Sequence, residues 1–128
     1  MRRGLITTAA LVVGLLIVSV SLFAHHGNAE FDIGRKVTVK GTVTKWSWSN
    51  PHCFLTFDAK GEASQIVHWV VETQPPRSVT AGGFSQYTFK PGDEVTVTLE
   101  PVKNGQPLGR MLEVVLPTGK KLVTGHLD

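Results

Sequence analysis

Three histidines are the residues in this chain best suited to hold a metal ion. His25 and His26 are adjacent, and His52 follows the Asn50-Pro51 pair. Imidazole nitrogen is a common ligand for copper, zinc and nickel. If export processing makes His25 the first residue, its α-amino group and ring can chelate one ion together, and His52 can complete a copper site. The sequence therefore predicts copper, or another transition metal, as one candidate ligand.

The same region also suits a small polar or aromatic ligand. The residues that we expect to contact it are Trp48, Asn50, Pro51, His52 and Glu72. Asn before Pro favours a turn, and a loop between the first two strands is one place where OB-folds bind ligands. The structural alternative is that Asn50 and His52 only order this turn through hydrogen bonds.

Patterns that support catalysis are missing from the sequence. Ser47 and Ser49 lie outside any Gly-x-Ser-x-Gly elbow. The single cysteine, Cys53, falls in an apolar strand pattern, which favours a buried structural thiol and excludes an intramolecular disulfide. We predict a non-enzymatic protein without catalytic residues.

The elements that would position these side chains are mostly strands, because apolar and polar residues alternate along the chain. The predicted strands are Val37–Trp46, Cys53–Asp58, Ile66–Glu72, Glu94–Glu100, Met111–Leu116 and Lys121–Thr124. A short helix is predicted over Arg77–Ala81, between the third and fourth strands. A long first strand, two more strands, a short helix and further strands indicate a small OB-like Greek-key β-barrel. A simple β-sandwich is the alternative.

The first strand contains a conflict in its alternation. Val39 and Val43 have one parity, whereas Trp46 and Trp48 have the other. Either a bulge near Gly41 or Lys45 restores the tryptophans to the inner face, or they lie on the outer face.

The N-terminal segment has the pattern of an export signal. Two arginines precede an uncharged apolar stretch over residues 4–24. We expect a hydrophobic signal helix over residues 1–24, an N-terminal extension over residues 25–36 and the barrel over residues 37–128. Cleavage after Ala29 is an alternative, and so is an uncleaved anchor, since about 20 apolar residues span a bilayer. The predicted location is the periplasm, free or anchored to the inner membrane.

The charge of the chain does not favour nucleic acid as a partner. Two of its 13 Lys and Arg lie in the leader, so its removal leaves 11 against 10 acidic residues. Arg35-Lys36 and Lys120-Lys121 are the only adjacent basic pairs beyond the leader, and no basic stripe suits phosphates. The expected partners are a small molecule, a metal ion or an envelope protein, with membrane contact only through an uncleaved leader.

Several motifs together resemble one known family. They are His25-His26, the segment Ala29 to Asp32, the run Val39 to Trp46, Asn50-Pro51-His52, the turn Lys90 to Asp93 and the segment Leu116 to Leu122. This set is similar to the uncharacterised family of small exported bacterial proteins catalogued as domain of unknown function 6152. The resemblance implies a periplasmic β-barrel and supplies no activity.

Three functions are therefore compatible with the sequence. The first is an exported OB-like binding module of unassigned ligand that has no enzymatic activity. The second is a copper-binding or other metal-binding protein that uses the three histidines. The third is an accessory subunit of an envelope complex, docked through an exposed strand edge or through the face of Trp46 and Trp48.

Overall fold

The strands form where the alternation predicts them. The computed structural model describes residues 30–125. Its elements are β1 (Val37–Ser47), β2 (Phe54–Lys60), β3 (Ile66–Glu72), α1 (Pro76–Val79), β4 (Glu94–Pro101), β5 (Leu108–Val115) and β6 (Lys121–Val123), with 3-10 turns at Glu62–Ser64 and Thr80–Gly82. β5 begins three residues before its predicted start, directly after the loop that contains Asn104-Gly105.

The strands close into a five-stranded barrel. The sheet runs in the order β3-β2-β1-β4-β5-β6, and a further pairing of β3 with β5 closes it. All pairings are antiparallel except β3 with β5, where Val70–Glu72 lie parallel to Leu108–Arg110. With its short helix between β3 and β4, this topology confirms the predicted OB-like barrel. The predicted signal helix lies outside the described residues.

A bulge in β1 settles the conflict between its valines and tryptophans. Val43 pairs with Phe57 and Lys45 with Thr56, so the register shifts at Thr44. Because of that shift, Trp46 pairs with the buried Leu55 and faces the barrel interior. The bulged strand is therefore the correct one of the two alternatives.

The core fills the barrel and extends beyond one of its ends. The buried apolar residues of the strands are Val43, Leu55, Phe57, Ala59, Val71, Val95, Val97, Leu99, Met111, Val114 and Leu122. At the end where β1 leads into β2, Val79, Phe84 and Phe89 join this core, and Trp46 packs against Phe89 with ring centroids 4.9 Å apart. We call this the plugged end, because side chains from α1 and the segment after it fill it.

The opposite end of the barrel is open. Residues 37–41 of β1 pair with β4 but not with β2, whose pairing with β1 begins at Thr42 and Asp58. The last turn of the β2–β3 hairpin therefore diverges from β1. Trp69 faces inward here and stacks on Phe57 at 6.5 Å and 9°. It is only half-buried, because no further layer of core covers it at this end.

None of the helices within residues 30–125 has the length and apolar character needed to cross a bilayer.

Candidate functional site

The loop between β1 and β2 is held firmly at the plugged end. The backbone N–H of Thr73 donates to the carbonyl of Cys53 at 2.9 Å, and the N–H of Cys53 donates to Gln74 at 3.5 Å. The Ser49 hydroxyl donates to the carbonyl of His52 at 2.9 Å. The Asn50–Pro51 peptide bond is cis. Hydrogen bonds to the segment that follows β3 thus fix both the loop and its histidine.

His52 has a defined orientation in this loop. Its Nδ1 lies 2.8 Å from the backbone oxygen of Thr73. Because a carbonyl oxygen only accepts hydrogen bonds, Nδ1 carries the proton and Nε2 of the neutral ring keeps its lone pair. The ring is half-buried and lies edge-on to Phe54, with centroids 6.4 Å apart. His52 is therefore oriented as a single ligand with Nε2 as its donor atom.

Glu72 lies on the same outer surface as Phe54. The two residues are direct partners across β2 and β3, so their side chains share one face of the sheet. On its other side Glu72 is the partner of Arg110 in β5. The structure thus places His52, Phe54 and Glu72 along one continuous stretch of the outer surface.

The other predicted contact residues divide between two environments. Asn50 and Pro51 are exposed at the tip of the loop, whereas Trp48 is half-buried and packs against the core. Its ring lies 5.9 Å from that of Trp46, whose Nε1 donates to the carbonyl of Ser85 at 3.0 Å. These two tryptophans therefore pack against the core and do not form an exposed stacking surface.

An N-terminal strap, residues 30–36, runs beside the ends of β4 and β5. Phe31 forms an isolated β-bridge with Val102 and is 3% exposed. The N–H of Lys103 donates to the carbonyl of Glu30 at 2.9 Å, and the N–H of Asp32 donates to that of Pro101 at 2.8 Å. This pairing fixes where the chain leaves the barrel toward His25 and His26, which lie outside the described residues.

The strap covers a buried ion pair that the sequence analysis missed. Arg110 Nη2 lies 3.4 Å from Glu100 Oε1, and both side chains are less than 10% exposed. Glu100 Oε2 also accepts the backbone N–H of Gly34 at 2.9 Å, and the Arg110 guanidinium lies 5.8 Å from the centre of the Phe31 ring. Charge-assisted bonds and a cation–π contact thus hold the strap on the sheet.

The described residues contain no cluster of three or more His, Cys, Asp and Glu side chains that could hold a metal ion. His68 lies elsewhere, on the outer face of the β2–β3 hairpin, where its Nδ1 is 2.5 Å from Asp58 Oδ1. Any site with several histidine ligands near His52 therefore needs ligands from outside residues 30–125.

A concave surface lies at the open end of the barrel. It is a cleft of about 740 Å³ between β1 and the β2–β3 hairpin. Its lining includes Val39, Gly41, Ala59, Val67 and Trp69 from inward-facing positions. We call it the open cleft. The open cleft could not be predicted from the sequence beyond the alternation of Val67 and Trp69, because it forms where the pairing of β1 with β2 ends.

One family model matches most of the chain. It is described as a family of unknown function, DUF6152, and it matches residues 12–111. No curated protein matches the chain.

Proposed function

We propose that this chain, which belongs to the DUF6152 family of unknown function, is an exported, non-enzymatic binding module that holds a transition-metal ion at His52. Copper(II) is the ion that the histidine ligands suit best. His25 and His26 are the proposed additional ligands, and Glu72 lies on the adjoining surface.

The observation that carries this proposal is the hydrogen bond from His52 to Thr73. Metal-bound histidines almost always donate their second ring N–H to a carbonyl or carboxylate, which fixes the tautomer and the direction of the lone pair. His52 makes such a bond at 2.8 Å. The protein itself therefore orients Nε2, which lowers the entropy lost on metal binding.

The strap gives the second part of the argument, since it fixes the position on the sheet from which the segment before residue 30 extends. The Phe31 ring contacts Arg110 on β5. Arg110 pairs with Glu72 on β3, and Glu72 pairs with Phe54 on β2. Adjacent strands lie about 4.8 Å apart, so the lateral distance from Arg110 to Phe54 is about 10 Å. His26 and Phe31 are five positions apart in the chain, which spans up to about 17 Å when extended. An extended segment of that length is long enough to cross from Arg110 to Phe54, whose ring lies 6.4 Å from that of His52.

Export supplies the third part. The leader pattern predicts a barrel outside the cytoplasm, and cleavage after Ala24 would expose the amine of His25 next to its own ring. That amine and an imidazole form a strong bidentate chelate for copper(II). Cleavage after Ala29 would remove both histidines.

The test combines the intact mass of the exported protein with copper(II) titration. We expect the mature chain to begin at His25, or to keep its leader, and to bind one equivalent of copper. Loss of a group that only hydrogen-bonds to a metal ligand costs about 10–100-fold in affinity, so loss of the ligand itself in His52→Ala should weaken binding by at least that factor.

The matched control is His68→Ala, which removes an exposed histidine on β3, four residues before Glu72 and so roughly 13 Å from it along the strand. It should leave the affinity unchanged. A mature chain that begins at Glu30 would contradict the participation of His25 and His26, and equal affinities of His52→Ala and wild type would contradict a metal site at His52.

A further inference from the structure

The chain that follows β6 runs toward the end of β3. β4 pairs with one edge of β5, so β3 and β6 share the other edge. β3 runs parallel to β5 and pairs with it as far as Arg110, whereas β6 runs antiparallel and approaches the same point from the opposite direction. The N–H of Thr124 donates to the carbonyl of Leu112 at 3.0 Å, which continues this course beyond β6. Gly125 is therefore directed at the segment that follows β3.

Gly125 meets that segment at Gln74. A Cβ atom at Gly125 would lie 3.3 Å from Oε1 and 3.4 Å from Nε2 of Gln74, so a residue without a side chain lets the backbone pass close to this amide. The Gln74 carbonyl accepts the N–H of Cys53 at 3.5 Å, and the Thr73 carbonyl accepts the hydrogen bond from His52 Nδ1 at 2.8 Å. Gly125 and His52 thus contact two consecutive residues of one segment.

A histidine directly follows Gly125. It is His126, one of the five histidines of the chain, and it lies outside the described residues. The peptide bond fixes its Cα at about 3.8 Å from that of Gly125. A site with several histidine ligands at His52 needs ligands from outside residues 30–125, and leader cleavage does not remove His126.

We propose that His126 is a ligand of the transition-metal ion at His52. This inference rests on the proposed metal site and adds to it an imidazole, a ligand type that suits copper(II). Thr124 holds the backbone before it, because its hydroxyl lies 2.6 Å from the Met111 carbonyl oxygen. Only His126 itself must then be ordered when the ion binds, which limits the entropy cost.

The length of the tether favours His126 over the paired histidines. His126 is one position from Gly125, whereas His26 is five positions from Phe31, the residue that anchors the strap. A shorter tether gives a higher effective concentration of the ligand, provided that it spans the distance. His52 and His126 would therefore keep a two-imidazole site even in a chain that begins at Glu30.

The test is copper(II) titration of the folded, exported protein in competition with a chelator. His126→Ala should weaken binding by at least about tenfold, because loss of a group that only supports a ligand already costs that much. The matched control is Leu127→Ala, which changes the neighbouring residue and removes no ligand atom. It should leave the affinity unchanged.

The electron spin echo modulation of bound copper(II) gives a second measurement, because it counts the imidazoles on the ion. We expect wild type to show at least two, and the count to fall by one in His126→Ala and likewise in His52→Ala. The wild-type spectrum is decisive without any variant, since a single imidazole on the ion would overturn the inference.

The outcomes separate this inference from the proposed function. If His52→Ala weakens binding and His126→Ala has the affinity and imidazole count of wild type, the metal site stands and the role of His126 is overturned. If neither variant changes binding, both proposals fail. Equal losses in His126→Ala and Leu127→Ala would assign the effect to packing of this segment and would also overturn the inference.

Discussion

Glu100 and Arg110 face each other across β4 and β5 on the outer surface of the barrel, yet each residue is only 6% exposed. They are buried because the strap lies over them, with Phe31 against the guanidinium and the Gly34 N–H on the carboxylate. A buried ion pair contributes little net stability compared with an apolar pair, but removing one partner leaves a charge without compensation.

Arg110→Met should therefore destabilise the protein strongly. We expect a loss of about 3–5 kcal/mol in the free energy of unfolding, the range for breaking a buried pair, as measured by urea denaturation. The matched control is Lys121→Met, which breaks a half-exposed pair with Glu113 of the same 3.4 Å length and should cost about 0–1 kcal/mol. Equal losses in the two variants would show that burial under the strap does not matter.

Phe31→Ala should weaken copper binding, although Phe31 is not a proposed ligand. Phe31 anchors the strap, so its loss lets the segment that carries His25 and His26 move away, which lowers the effective concentration of those ligands. We expect the affinity for copper(II) to fall by about tenfold by this mechanism. Ile33→Ala is the control in the same segment, because Ile33 is 62% exposed. An unchanged affinity for copper(II) in Phe31→Ala would show that the strap does not contribute to metal binding.

Gly41→Ala should destabilise the barrel because β1 and β2 cross in contact there. The new Cβ would overlap the carbonyl oxygen of Asp58, and such overpacking costs about 1–3 kcal/mol. Lys40→Ala, at the neighbouring outward position, should change stability by less than about 0.5 kcal/mol. Thermal unfolding followed by circular dichroism measures both. A Gly41→Ala variant as stable as wild type would mean that the strands can separate freely at this crossing.

Cys53 should be unreactive in the folded protein. Its side chain has no solvent exposure, and its Sγ lies 3.9 Å from the carbonyl oxygen of Ser49. Ellman's reagent should therefore modify it only after unfolding in urea. A cysteine introduced by Tyr87→Cys, in a Cys53→Ala background, should react within the mixing time. Rapid reaction of Cys53 in the native protein would show that the loop after β1 opens readily.

The sequence predicted the barrel well because alternation, Pro and Gly report on local backbone shape. The same alternation left the face of Trp46 undecided, since a single extra residue at Thr44 inverts every later side chain. β2 carries no such insertion. Because Cys53 directly precedes β2 and continues its alternation, its buried position was predicted correctly.

The candidate site was less predictable because its parts depend on tertiary contacts. Nothing around His52 in the sequence indicates that the backbone oxygen of Thr73 accepts its hydrogen bond, since the two residues meet only through the packing of a loop on the end of β3. Glu100 faces outward from β4, and its burial comes from strap residues that are more than 60 positions away in the sequence. The open cleft likewise depends on where pairing between β1 and β2 ends.

The strap also constrains the order in which the molecule can assemble. Residues 30–34 dock on side chains and backbone from positions 100–110, which are synthesised more than 60 residues later. Until those positions exist, the strap has no surface on which to dock. The segment made first among the described residues is therefore fixed only after β4 and β5 have formed.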